Sequence, residues 1–112
     1  MLVWEKAPDT ITQAWGDRLI YCVNKNVGGS MGWRLPSVVE LSSVREPFLP
    51  APFVPTNIFS GINGFYWSAT TGGDDPTLAW FVDFTFLSAT GQTKAGSIHA
   101  WCVRGPMNAD TY

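Results

Sequence analysis

Apolar and polar positions alternate with helical spacing in the first part of the chain. Between about residues 12 and 25 this spacing predicts an amphipathic first helix. Its inward stripe contains Ile11, Trp15, Leu19, Cys22 and Val23. A second helix is predicted from Ser37 to about residue 45, because Pro36 keeps the residue before it extended. Ser37 and Glu40 also have the spacing of a capping box at a helix N-terminus.

The second half of the chain has the two-residue alternation of β-strands. Residues 65–70 and 78–84 predict a hairpin around the Gly-rich turn at 71–76, and residues 2–4 and 99–104 predict a first and a last strand. The polar segment 88–97 is interpreted as a connection. Residues 48–64 contain many Pro and Gly, together with apolar anchors, and predict a long irregular loop packed onto the domain.

Seven residues are predicted to hold the scaffold together. Arg34 lies between two inward-facing apolar residues and needs a partner, and with Glu40 it is expected to tie the turn to the second helix. Asp83 alternates with large apolar residues, which predicts a half-buried carboxylate paired with Arg34, Lys94 or Arg104. The predicted structural residues are Trp33, Arg34, Glu40, Trp67, Trp80, Asp83 and Arg104.

Length and composition indicate one globular domain over residues 1–106, with a tail at 107–112. The chain has 112 residues, 46% of them hydrophobic, and a net charge of -2. Nucleic acid is an unexpected partner because the seven Lys and Arg residues are scattered. Membrane insertion is also not expected, since no apolar run approaches the roughly 20 residues that a helical span needs. We expect the chain to be part of a longer precursor with its targeting segment upstream.

The candidate catalytic and metal-binding residues are few. His99 is the only histidine, and no nucleophile or carboxylate motif accompanies it, so an exposed histidine at a strand edge is expected and an enzyme is not. Asp74 and Asp75 could offer oxygen ligands to calcium, or form an ordinary turn. No other cofactor is predicted. Cys22 and Cys102 could form a disulfide in an oxidising compartment, or be two buried thiols in a cytosolic protein.

A series of motifs resembles the bacterial domain family named after the C-terminal domain of a collagen-like adhesin, the Lcl C-terminal domain. The likeness covers nearly the whole chain. It is carried by Leu2-Val3-Trp4-Glu5, Trp15 with Cys22, Gly29 with Gly32-Trp33-Arg34-Leu35-Pro36-Ser37 and Glu40-Leu41, Tyr66-Trp67-Ser68-Ala69-Thr70, Ala79-Trp80-Phe81-Val82-Asp83-Phe84, Lys94, and Cys102-Val103-Arg104.

The resemblance implies an α+β, C-type-lectin-like fold, with two helices packed on a twisted, mostly antiparallel sheet and a long irregular loop region. In that fold a disulfide joins the first helix to the last strand, which implies a bond between Cys22 and Cys102. The resemblance also implies an extracellular, cell-surface or periplasmic location. Some relatives are similar to adhesins that bind sulfated polysaccharide, but the acidic charge of this chain does not favour such a ligand. The Glu-Pro-Asn and Trp-Asn-Asp triplets of calcium-dependent lectins do not occur.

The implied function is a non-enzymatic recognition module, similar to an adhesin, that binds a glycan or a protein through its loops. By fold analogy alone, the binding surface is predicted at Asn63, Phe65, Tyr66, Asp74, Asp75 and Thr77. The alternative is a structural or oligomerising cap of a larger surface or phage-like fibre protein, with no small ligand. Homo-oligomer formation is left open by the sequence.

Overall fold

The computed structural model describes residues 2–27, 29–86 and 88–105, and the predicted tail at 107–112 lies outside them. It contains two helices and six strands within the described residues. In chain order they are β1 (Val3–Trp4), α1 (Trp15–Val23), β2 (Trp33–Arg34), α2 (Val38–Ser43), β3 (Phe65–Thr71), β4 (Leu78–Asp83), β5 (Ser88–Thr93) and β6 (Val103–Arg104). The α+β class is therefore confirmed.

The strands form two small antiparallel sheets rather than one sheet. The first has the order β1-β6-β2, so the two ends of the domain meet in it, and the second is the meander β3-β4-β5. The segment before β6 is joined to β3, because the His99 carbonyl accepts a hydrogen bond from the Trp67 amide at 2.9 Å and the His99 amide donates one to the Phe65 carbonyl at 3.1 Å. The segment interpreted as a connection contains β5, because its residues pair with β4 from Leu78↔Thr93 to Asp83↔Ser88. Its polar, Gly-containing sequence does not show the apolar alternation of a half-buried strand.

The first helix buries a different face from the predicted stripe. Cys22 is buried and Trp15 and Leu19 are half-buried, but Ile11 and Val23 are exposed. Arg18 is fully buried in their place. Its guanidinium lies 4.2 Å from the centre of the Tyr21 ring and donates to Asp9 at 2.8 Å, which explains how a charged residue can occupy an inward position.

The predicted capping box begins α2. The Ser37 hydroxyl accepts from the Glu40 amide at 3.1 Å, and Glu40 Oε1 accepts from the Ser37 amide at 2.8 Å. The Glu40 carboxylate also accepts a hydrogen bond from each of the two terminal nitrogens of Arg34, at 2.8 and 2.9 Å. The predicted tie between the turn and the second helix is confirmed.

Two apolar clusters form the core, one on each side of β4. The first surrounds the Cys22–Cys102 disulfide, whose Cα atoms are 5.5 Å apart, and the second surrounds Trp101. The disulfide connects α1 to the residue before β6, so the implied pairing is present. Between α2 and β3 the described chain has no helix or strand, as predicted, and its loop is held by Val54 and Ile62 in the second cluster.

No described helix has the length and apolar content required to cross a membrane.

Candidate functional site

The predicted binding residues lie at opposite ends of the β3–β4 hairpin. Asn63 and Phe65 are at the start of β3, while Asp74, Asp75 and Thr77 are in the turn after it. Since β3 has seven residues and a strand rises about 3.3 Å per residue, the two groups are about 20 Å apart along the strand. They do not form one surface.

The turn at the far end is organised by Asp75. Its carboxylate accepts from the Thr77 hydroxyl at 2.6 Å and from the Thr77 amide at 2.9 Å. These two hydrogen bonds lower the pKa of Asp75. Within the described residues, no group of three or more His, Cys, Asp or Glu side chains is placed to hold a metal ion.

Tyr66 was predicted to face a ligand, and this is wrong. Its side chain is 1% exposed, and its phenol oxygen accepts from the Asn63 amide at 3.0 Å. Burial raises the pKa of the phenol, so it stays protonated at neutral pH. The ring packs against Phe84 and Trp101, and Tyr66 therefore supports the loop before β3 from inside.

Phe65 lies on a groove that the sequence did not indicate. The groove has a volume of about 330 Å³. It is called the phenylalanine groove here, and its lining residues are Thr12, Gly64, Phe65, Thr85, Phe86, Ser97, Ile98 and His99. Phe86 is 79% exposed and Phe65 is 42% exposed, so two aromatic rings are available to a ligand. Apart from His99, the lining has no acidic or basic side chain.

His99 lines this groove and is not the exposed histidine at a strand edge that was expected. The ring is half-buried and packs against Tyr66, with ring centres 5.2 Å apart. Its Nδ1 is buried and has no hydrogen-bond partner among the described residues. The Nε2 side lies next to Gly64, whose φ of +85° suits glycine. Among the described residues, no carboxylate or thiol lines the groove beside His99.

Asp83 fixes the turn that carries Phe86. One carboxylate oxygen accepts from the Thr85 amide at 2.7 Å and from the Phe86 amide at 3.3 Å, and the other accepts from the Ser88 hydroxyl at 3.4 Å. Asp83 also pairs directly with Phe65 across the hairpin. This one buried residue therefore positions both phenylalanines.

The described residues show no ion pair between Asp83 and any of its three predicted partners. Its three expected partners are engaged elsewhere: Arg34 with Glu40, Lys94 above the Trp15 ring at 4.2 Å, and Arg104 with the Met31 carbonyl at 2.8 Å. The carboxylate instead caps its own turn, as Asp commonly does. The alternation pattern could predict its burial but not the direction of its hydrogen bonds.

The predicted structural tryptophans differ in burial. Trp33 and Trp67 are in the core, where the Trp67 indole donates to the Gln13 carbonyl at 3.0 Å and the Trp33 indole to the Ser30 carbonyl at 3.1 Å. Trp80 is 36% exposed on β4, so it lies at the surface of the second sheet, and its structural role stays a prediction.

Comparison with known families gives one match. The sequence model of the Lcl C-terminal domain matches residues 1–104. No curated protein matches the chain. The family match agrees with the resemblance found in the sequence and covers every residue of the groove.

Proposed function

The chain belongs to the Lcl C-terminal domain family, and we propose that it is a non-enzymatic recognition module that binds a glycan or protein ligand through the phenylalanine groove. The observation that supports this most directly is the exposure of both Phe65 and Phe86 in the lining of one groove. Exposed aromatic rings are costly to leave in water and commonly contact ligands.

The chemistry of the groove favours an amphipathic, uncharged ligand. The two rings offer apolar faces, and the hydroxyls of Thr12, Thr85 and Ser97 offer hydrogen bonds at the rim. The C–H face of a sugar ring or an apolar side chain of a protein would fit such a surface. A sulfated chain would find no cation in the lining to pair with.

We further propose that the domain works outside the cytoplasm on a C-type-lectin-like scaffold. The Cys22–Cys102 disulfide supports an oxidising compartment. The meeting of the first and last strands in one sheet, the two helices and the long loop before β3 support the scaffold assignment. Calcium is not required by this proposal, since the Asp75 carboxylate is engaged by Thr77.

The proposal is tested by a glycan array and a pull-down from host-cell surface proteins, each with calcium and with a chelator. Phe86→Ala and Phe65→Ala should remove binding and leave the far-ultraviolet circular dichroism unchanged. Phe48→Ala is the matched control, because Phe48 is 82% exposed on the long loop and does not line the groove. Equal loss of binding in all three variants would refute the groove as the site.

A structural or oligomerising cap is the second candidate, supported by exposed apolar residues on the first helix. Ile20 and Val23 are both more than half exposed, three positions apart on α1. Such a strip could pack against a second copy in a fibre. Light scattering separates the candidates: a stable oligomer that Ile20→Glu dissociates, together with no ligand on the arrays, would favour the cap.

A further inference from the structure

A second cleft, lined partly by the strands of the first sheet, carries a concentration of positive charge. It has a volume of about 500 Å³ and shares no lining residue with the phenylalanine groove. It is called the charged cleft here, and its lining residues are Val3, Trp4, Glu5, Lys6, Ala7, Lys25, Val27, Ser30, Trp33 and Arg104. Three of the chain's seven Lys and Arg residues line it, against one carboxylate.

The floor of the charged cleft is formed by one row of directly paired residues on the three strands of the first sheet. Val3 pairs with Arg104, and Arg104 pairs with Trp33 on its other side. Directly paired residues on neighbouring strands point to the same face of a sheet, so these three side chains are adjacent. The Arg104 guanidinium lies 5.9 Å from the centre of the Trp33 ring. The floor therefore combines an aromatic ring with a cation.

Two of the four charged groups in the cleft neutralise each other. Lys25 forms an ion pair with Glu5 at 2.9 Å and also donates to the Tyr21 hydroxyl at 3.1 Å. The other Glu5 oxygen accepts from the Cys102 amide at 2.7 Å. Burial lowers the pKa of Lys25, but the hydrogen bonds that Lys25 donates to Glu5 and Tyr21, together with the electrostatic effect of both groups, outweigh burial. The net pKa is therefore raised and the ion pair persists at neutral pH.

Lys6 and Arg104 supply the charge that remains. Arg104 uses Nε to donate to the Met31 carbonyl at 2.8 Å, and its two terminal nitrogens have no hydrogen-bond partner among the described residues. The Lys6 side chain is exposed and its amine likewise has no partner in the described part of the chain. A guanidinium held through Nε, with its terminal nitrogens available, is arranged to receive a carboxylate.

We propose that the charged cleft binds a small carboxylate carried on an apolar or aromatic body. The carboxylate pairs with Arg104 and Lys6, and the body lies against Val3, which is 46% exposed, and against the small exposed part of the Trp33 ring. Charge complementarity limits the ligand to one or two negative charges, because only two cations are uncommitted and Glu5 stands in the same cleft. An extended polyanion would meet that carboxylate and the net negative charge of the chain.

The test measures the binding of benzoate and of its neutral isostere benzamide by NMR. The reporters are the N–H signals of the Trp33 indole and of Arg104 Nε. Benzoate should shift both signals in a saturable way, and benzamide should bind about tenfold more weakly or not at all. Equal binding of the two compounds, or no shift of either signal, would overturn the proposal.

Variants assign the charge to named residues. Lys6→Gln and Arg104→Gln should each weaken benzoate binding by about tenfold, and Arg104→Lys by less. Lys94→Gln is the matched control, since Lys94 is a cation beside a tryptophan elsewhere on the surface, and it should change nothing. Lys6 is exposed, so its variant keeps the test valid even if Arg104→Gln fails to fold. Unchanged affinity in Lys6→Gln and Arg104→Lys would exclude the cleft.

Two further probes identify the source of the carboxylate. A short peptide ending in phenylalanine, with its C-terminus free or amidated, tests a peptide source against a free organic acid. If the peptide with a free C-terminus binds more tightly than benzoate, the natural carboxylate is the C-terminus of a peptide. If this peptide binds more weakly than benzoate, the natural carboxylate is a free organic acid. A heparin-derived oligosaccharide that displaces benzoate at lower concentration would overturn the limit to small carboxylates.

Discussion

The ion pair between Arg34 and Glu40 gives a sharp prediction about stability. Glu40→Ala removes the bidentate contact with Arg34 and the back-bond to the Ser37 amide, whereas Glu40→Gln keeps an acceptor for both. The carboxylate side chain is 5% exposed and the Arg34 side chain 15%, so solvent cannot replace the lost contacts.

The magnitude follows from the number of contacts that each change removes. Removing one partner of a buried ion pair costs about 3–5 kcal/mol. Glu40→Ala should therefore lower the free energy of unfolding by about 4 kcal/mol. Glu40→Gln should lower it by about 2 kcal/mol, because the neutral amide retains hydrogen bonds. Ser37→Ala, which affects only the cap, should cost about 1 kcal/mol.

Urea denaturation monitored by circular dichroism measures these differences. Glu40→Ala should be the most destabilised variant, Glu40→Gln the next and Ser37→Ala the least. Because the pair is shielded from solvent, the cost of Glu40→Gln should be nearly the same in low and in molar salt. A Glu40→Gln protein as stable as the parent, or a cost that disappears in salt, would refute the buried ion pair as a source of stability.

Three further predictions concern other parts of the structure. Replacing Cys22 and Cys102 by Ala should lower the free energy of unfolding by about 4 kcal/mol, measured by urea denaturation, because the bond closes a loop of 80 residues; a protein of unchanged stability would contradict this. Asp83→Ala should speed amide hydrogen exchange in the turn that it caps, whereas unchanged exchange would show that the cap is dispensable. The pKa of Asp75, measured by NMR, should rise towards its ordinary value in Thr77→Val, and an unchanged titration would contradict the assignment. Because the pKa is lowered in the folded state, the contact with Thr77 stabilises the fold at pH values above the pKa of the unfolded carboxyl. That stabilisation is lost as the pH falls through the folded pKa.

The helices and most strands were more predictable from the sequence than the candidate site was. Capping-box spacing predicted the start of α2, and the tie between Arg34 and Glu40 followed from a charged residue among apolar neighbours. The strand β5 was missed because its residues are polar and are recruited by pairing with β4, a non-local interaction. Local propensity carries little information about such a strand.

The groove was only partly predictable. Phe65 was predicted as a binding residue, but Phe86 and His99 were not assigned to the binding surface, because they come from segments that meet only in the folded chain. Tyr66, the neighbour of Phe65, was assigned to the same surface although alternation along a strand sends it to the other face.

The sequence by itself determined the family, the α+β class, the capping box and the candidate cysteine pair, since these depend on local spacing and on residue types in a fixed order. Only the tertiary structure decided that the polar residues of β5 pair with β4 and that Arg18 is buried. It also decided that two phenylalanines and one histidine form a groove. The physical reason is that each of these features depends on which segments the folded chain brings together, and no local pattern encodes that arrangement.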